Sequence, residues 1–263
     1  MLRTARPIAI CALLALSVGA PAQAETVSFT VDPNQSSLSI NGISFIGISE
    51  AQGAGAWTTS YSGNIDVDLT DTTIAFLNTS VITAGNSGDW LPGDDYTDYD
   101  PTMGATGSVY ETVPVGANYG TSTQITAFPG DDRIVQTATR DIQIMLTSDA
   151  RSIIGGVFAE DGIVPEYLSG TVYYNEGAEP PITNLAGGGI TVTPFADLAE
   201  AGTLVQTGDL LTLTIPVEFT TSFFVSQVTY SGTIVATATV PEPGSTALLL
   251  AGLPLLMRRR RNR

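Results

Sequence analysis

Short runs of alternating polar and β-branched or aromatic residues recur along this 263-residue chain. Gly, Asn, Asp or Pro separates them, about every 8–12 residues. Such alternation suits β-strands, whose successive side chains point to opposite faces. The pattern predicts an all-β fold, mostly antiparallel, arranged as a β-sandwich or flattened barrel. The clearest runs are TVSFTV (26–31), NIDVDL (64–69), DIQIML (141–146), TVYYN (171–175), LLTLTIPVEF (210–219) and TIVATATV (233–240).

Three features leave the internal organisation of this region open. The segment FADLAEAG (195–202) favours a short helix that stops at Gly202. The Gly- and Pro-rich segment 176–189 is either a soft domain boundary or a long loop. A Ser-Gly pair recurs at the start of strand-like runs and indicates either a turn before each strand or a duplicated β unit. Its occurrences are YSGNI (61–65), LSGTV (168–172) and YSGTI (230–234).

The first 24 residues have the organisation of a secretory signal peptide. Arg3 and Arg6 precede an apolar stretch at 8–18, which is too short to span a bilayer. Ala22 and Ala24 then supply the small-x-small pattern that a signal peptidase reads. We therefore expect cleavage after Ala24 and an exported protein that begins at Glu25.

The region between these ends is strongly acidic and lacks several catalytic residue types. Residues 25–240 contain 25 acidic and three basic residues, a difference of −22. Such a surface repels nucleic acid and anionic membranes and attracts cations. The chain has no histidine or lysine, and its one cysteine lies within the predicted signal peptide. These absences exclude a Ser-His-Asp triad, histidine zinc sites and Schiff-base lysine chemistry, and we predict no enzyme.

The carboxyl-terminal 24 residues combine three ordered features. Pro241, Glu242 and Pro243 precede an apolar stretch at 246–257, and Arg258, Arg259, Arg260 and Arg261 follow it. As a short helix, the 12 apolar residues would rise about 18 Å, against about 30 Å of hydrocarbon. The stretch therefore predicts a marginal, transient anchor in the inner membrane, with the arginines as a cytoplasmic stop.

Residues 240–263 resemble the PEP-CTERM sorting signal of exosortase substrates. The resemblance implies a Gram-negative bacterium, handling by a membrane exosortase near the Pro-Glu-Pro, and release to the cell surface or extracellular matrix. It also implies a structural or interaction role associated with exopolysaccharide and biofilm. The expected organisation is a signal peptide (1–24), a β-rich exported domain (25–239) and the sorting signal (240–263).

One acidic segment, SGDWLPGDDYTDYDPTMG (87–104), is the best candidate for ligand binding. Asp94, Asp98 and Asp100 are possible calcium ligands because calcium takes six to eight oxygens, although their spacing is not that of an EF-hand. Trp90, Tyr96 and Tyr99 are possible sugar-stacking residues. The alternatives are a solvated acidic loop and ordinary aromatic core residues. Further aromatic candidates are Trp57, Tyr110 and Tyr119.

A second resemblance concerns residues 27–69. The segments VSFTVDPNQSSLSINGISFIG and YSGNIDVDL are similar to the opening of the lipocalin-like polyisoprenoid-binding barrel family. This resemblance implies a closed barrel with an apolar ligand inside. The sequence thus favours a matrix protein that needs no cofactor. A calcium- or carbohydrate-binding module and a carrier of apolar ligands remain the alternatives.

Overall fold

The computed structural model describes residues 24–44, 47–51, 53–90, 116–125, 134–174, 182–187, 189–223 and 226–240. Within these residues the chain forms sixteen β-strands and no helix, so the predicted all-β class is confirmed. The strands are β1 (Glu25–Val31), β2 (Ser37–Ser44), β3 (Gly47–Ala51), β4 (Thr58–Leu69), β5 (Thr73–Phe76), β6 (Val81–Ala84), β7 (Tyr119–Ile125), β8 (Ile134–Thr147), β9 (Arg151–Ser152), β10 (Val157–Phe158), β11 (Val164–Tyr174), β12 (Ile182–Asn184), β13 (Thr191–Val192), β14 (Gly202–Thr207), β15 (Leu210–Phe223) and β16 (Ser226–Thr239). The predicted signal peptide core and carboxyl-terminal helix lie outside the described residues.

The strands form one connected antiparallel sheet. Its order is β10-β14-β15-β16-β1-β4-β2-β3-β7-β8-β11-β12, with β5, β6, β9 and β13 attached beside this path. The longest pairing is the β15–β16 hairpin, which runs in register from Leu210↔Thr239 to Phe223↔Ser226. Each of the six runs identified in the sequence lies wholly or almost wholly within one strand.

The sheet closes on itself as a small barrel. Both β1 and β2 pair with β4 on one edge and with β16 on the other. A larger circuit of antiparallel pairs runs from β2 through β3, β7, β8, β6 and β4 and back to β2. Closure removes exposed strand edges, which otherwise invite pairing with other chains.

The core follows from the alternation along the strands. On β15, Leu211, Leu213 and Ile215 point inward and are buried, whereas Thr212 and Thr214 are only half-buried. Buried residues from both sides of the 176–189 segment share one hydrophobic cluster. Burial of a large aliphatic or aromatic side chain stabilises a fold by about 1.5–3 kcal/mol, so this cluster is the main source of stability.

The predicted helix at 195–202 is wrong. The Glu160 side chain is buried, and its carboxylate accepts hydrogen bonds from the backbone N–H groups of Leu198 (3.0 Å) and Gly202 (3.3 Å). Ala196 N–H donates to the Glu218 carbonyl, and the Phe195 ring stacks on Phe219. These contacts across the fold hold the segment extended, and Gly202 begins β14 rather than ending a helix.

The interpretation of the Ser-Gly pairs as turns is also wrong. Gly63, Gly170 and Gly232 lie inside the long strands β4, β11 and β16, and all three have a positive φ. A Cβ at Gly63 would lie 2.1 Å from the Val81 carbonyl oxygen, and one at Gly232 would lie 2.1 Å from that of Ser37. These glycines let another strand approach closely, as interior strand glycines commonly do.

Candidate functional site

Most of the predicted site residues lie outside the described part of the chain. These are the calcium candidates Asp94, Asp98 and Asp100, the aromatic candidates Tyr96, Tyr99 and Tyr110, Ala22 of the cleavage motif, the sorting residues Pro241, Glu242 and Pro243, and Arg258, Arg259, Arg260 and Arg261. Ala24 is described: it is exposed and immediately precedes β1. Trp57 is half-buried against the core, and Tyr119 is 1% exposed. Tyr119 therefore presents no ring face for stacking on a sugar.

Trp90 is the last described residue before the 91–115 segment. Its side chain packs against three glycines: a Cβ at Gly53, Gly88 or Gly120 would come within 2.5–2.6 Å of it. The indole N–H donates to Ser87 Oγ at 3.0 Å. Gly88 forms an isolated antiparallel bridge with Ala117, so the described residues on either side of the 91–115 segment lie side by side. Trp90 is half-buried, and these contacts fix the orientation of its ring.

Asn118 directly precedes β7, and its side chain hydrogen-bonds residues of β6 and β8. Its side chain is buried, and Nδ2 donates to the carbonyls of Ala84 (3.2 Å) and Gly85 (2.8 Å). Oδ1 accepts from the Ile142 N–H at 3.1 Å. The described strands β6 and β7 each pair with β8 but not with each other, and this amide side chain links them at the start of β7. Nothing in the sequence distinguished this asparagine from the residues of an ordinary turn.

We expect Asn118→Ala to destabilise the protein by about 2–3 kcal/mol, because it leaves buried backbone groups without partners. Chemical denaturation followed by circular dichroism would measure the change. Asn86→Ala is the matched control, because Asn86 is exposed and accepts a single hydrogen bond, from Gly88 N–H. Equal stability losses in the two variants would contradict the structural role of Asn118.

Four buried tyrosines form the polar centre of the core: Tyr61, Tyr119, Tyr167 and Tyr230. The Tyr119 hydroxyl donates to the Leu38 carbonyl (3.1 Å) and accepts from Tyr61 (2.9 Å). Tyr167 hydrogen-bonds Thr221 Oγ1 at 2.9 Å. Two members of this group could be noticed in the sequence, because Tyr61 and Tyr230 each directly precede one of the Ser-Gly pairs.

The tyrosine hydroxyls resist ionisation. Burial raises the pKa of all four above the ordinary value of 10, because it disfavours the charged phenolate. Repulsion between neighbouring phenolates raises the pKa of Tyr61, Tyr119 and Tyr167 further. For Tyr230 the pKa rises to about 12. These groups are therefore neutral hydrogen-bonding residues near neutral pH.

A small cavity adjoins the tyrosine cluster between the β7–β8 and β15–β16 hairpins. Its volume is about 50 Å³, and no charged side chain is among the described residues that line it. Hydroxyl groups dominate its polar lining: Tyr119, Thr121, Thr137, Thr139, Thr221 and Tyr230. We call these six residues and the space between them the hydroxyl pocket. Thr121 and Thr137 are half-buried, so their side of the pocket lies nearest the surface.

A larger and more open groove of about 570 Å³ runs beside the turn that connects β9 and β10. Its lining is mainly apolar and includes Ile154, which is 80% exposed, and Val157. Arg151 lies along it and makes an ion pair with Asp161 at 3.3 Å. The Arg151 guanidinium donates to Asp161 and to the Ala159 carbonyl. These contacts stabilise the turn that connects β9 and β10.

The described residues offer no arrangement typical of a metal or membrane site. Within them, no group of three or more His, Cys, Asp and Glu side chains is placed to hold a metal ion. No helix in that part of the chain has the length and apolarity needed to cross a membrane. In comparisons with known proteins, no family model, curated protein or solved structure matches this chain.

Proposed function

We propose that this chain is an exported protein that an exosortase delivers to the cell surface or extracellular matrix of a Gram-negative bacterium, where it has a structural or interaction role. One coincidence carries the proposal. The described strands begin at Glu25 and end at Thr239. The cleavage motif ends at Ala24 and the sorting tripeptide begins at Pro241, so both expected cuts fall outside the folded sheet.

The two ends then act as addresses. Signal peptidase removes residues 1–24, and the apolar tail holds the protein in the inner membrane for a short time. The arginine run keeps the end of the tail in the cytoplasm. The exosortase acts near Pro241-Glu242-Pro243, which proline keeps extended, and releases the β domain. The difference of −22 between basic and acidic residues in this domain favours solubility and gives no support to nucleic-acid binding.

The composition supports a structural or binding role over an enzymatic one. No cofactor enters the proposal, although calcium at Asp94, Asp98 and Asp100 stays a prediction, as does sugar stacking at Trp90, Tyr96 and Tyr99. We do not extend the proposal to a carrier of apolar ligands. The hydroxyl pocket, at about 50 Å³, is below the roughly 300–1,000 Å³ of a ligand-enclosing pocket, and the mainly apolar groove of about 570 Å³ is open rather than enclosed.

Mass spectrometry of the protein isolated from its own cells tests the sorting directly. We expect a chain that begins at Glu25 and ends at or near Pro241-Glu242-Pro243, because both motifs lie in segments that precede or follow the sheet. Changing all three sorting residues to Ala should leave the apolar tail attached, whereas the nearby Thr246→Ala should be processed normally. A mature protein that still carries Arg258–Arg261 would remove the exosortase from the proposal.

A further inference from the structure

We propose that the hydroxyl pocket binds the hydroxymethyl group of a neutral saccharide. This inference rests on the proposed matrix location and specifies the chemistry of a partner there. Of the lining residues only Tyr119 was a candidate from the sequence, and the inference leaves the acidic segment at 87–104 aside.

The pocket combines hydroxyl groups with the apolar side chains of Ile40, Val172, Leu185 and Val228. Six of the lining side chains carry hydroxyl groups, and each hydroxyl offers one donor and two acceptor lone pairs. Several of these donors are already committed: Tyr119 donates to Leu38, and Thr121 and Thr137 hydrogen-bond each other. The lining therefore places hydroxyl oxygens beside apolar carbon atoms, which suits a ligand that carries a hydroxyl on a methylene group.

One polar atom in the lining of the pocket has no hydrogen-bond partner among the described residues. Thr139 lines the pocket, and its Oγ1 is buried without a hydrogen-bond partner. A buried polar atom without a partner costs free energy, and most such atoms in folded proteins are satisfied. A ligand hydroxyl that reaches Thr139 would supply the missing partner. This oxygen is the element of the lining that most directly indicates a hydroxyl ligand.

The size and the charge of the hydroxyl pocket restrict the ligand further. About 50 Å³ admits a hydroxymethyl group, while the attached ring would remain at the half-exposed side formed by Thr121 and Thr137. The pocket has no cationic side chain among its described lining residues, and the surrounding domain is strongly acidic. A uronate would find no counter-charge and would be repelled. The pocket therefore favours neutral over acidic sugars.

The test is titration of the purified protein, followed by NMR of the threonine methyl groups. The probes are the methyl glycosides of glucose, galactose and mannose, with methyl xyloside, which lacks the hydroxymethyl group, and methyl glucuronide. We expect at least one of the first three to shift the Thr139 signal, with Kd on the order of millimolar because the contact is small. Methyl xyloside and methyl glucuronide should leave that signal unchanged.

Variants at Thr139 separate binding from folding. Thr139→Val keeps the shape but removes the hydroxyl, and it should weaken binding by roughly fivefold, the usual effect of one hydrogen bond. Thr139→Ser should retain binding, and Thr214→Val, on the outer face, should change nothing. The inference is overturned if none of the three hexosides shifts Thr139, or if Thr139→Val binds as well as the parent. Neither result bears on the terminal cleavages, which mass spectrometry tests separately.

Discussion

Gly63→Ala is expected to destabilise the protein by at least about 3 kcal/mol, the upper end of the usual range for one substitution. Gly63 has φ 119°, which residues with a side chain rarely adopt, and the new Cβ would lie 2.1 Å from the Val81 carbonyl oxygen. That oxygen belongs to the backbone of β6, which pairs with β4 at this point. The clash can be relieved only by moving one strand away from the other, at the cost of their hydrogen bonds.

Thermal unfolding followed by circular dichroism would measure the effect, and a fall in Tm of roughly 6–12 °C is expected for a domain of this size. Gly232→Ala should behave similarly, because its Cβ would meet the Ser37 carbonyl at the same 2.1 Å. Gly208→Ala is the matched control: Gly208 has φ 61°, but nothing lies within 4 Å of a Cβ there. It isolates the backbone penalty, about 1–2 kcal/mol. A Gly63→Ala variant no less stable than Gly208→Ala would contradict the close approach.

The strands were predictable because their signal is local. In β15 and β16, most inward residues are apolar, with the buried Thr221 as an exception, and most outward residues are Thr or Ser, so the alternation is visible without any knowledge of the fold. Pro216 would argue against a strand at 210–219, since proline cannot donate to a ladder. The structure shows why it is tolerated. On the side away from β16, pairing of β15 with β14 ends at Thr214 and pairing with β13 begins at Thr221, so Pro216 lies in the gap.

The failed predictions depended on distant partners. The helical pattern at 195–202 was real, but Glu160, 38 residues from Leu198, holds the segment extended. The Ser-Gly pairs resembled turns because their neighbours in space, Val81 and Ser37, are invisible to local reading. For the same reason the sequence did not distinguish Thr139 from the other threonines of its strand. Its hydroxyl lines the pocket together with residues of β7, β15 and β16, and the local sequence does not show these neighbours.

Raising the pH above 10 is expected to unfold the protein cooperatively. The four buried tyrosines have a raised pKa in the folded state, whereas in the unfolded chain they ionise near 10. Their contribution to stability is therefore fully present below pH 10 and is lost as the pH rises through the folded pKa values, about 12 for Tyr230. With four groups kept neutral, the free energy of unfolding should fall by up to roughly 5 kcal/mol per pH unit.

Phenolate absorbance and circular dichroism, recorded together across this range, would check the coupling. We expect the last tyrosines to ionise only as the β signal is lost, with a midpoint between pH 10 and 12. Tyr167→Phe removes one buried hydroxyl and should make the transition shallower by about one proton. Tyr173→Phe is the control, because Tyr173 is only half-buried. Complete ionisation of the tyrosines with the β signal intact would show that the cluster is open to solvent and would contradict its burial in the core.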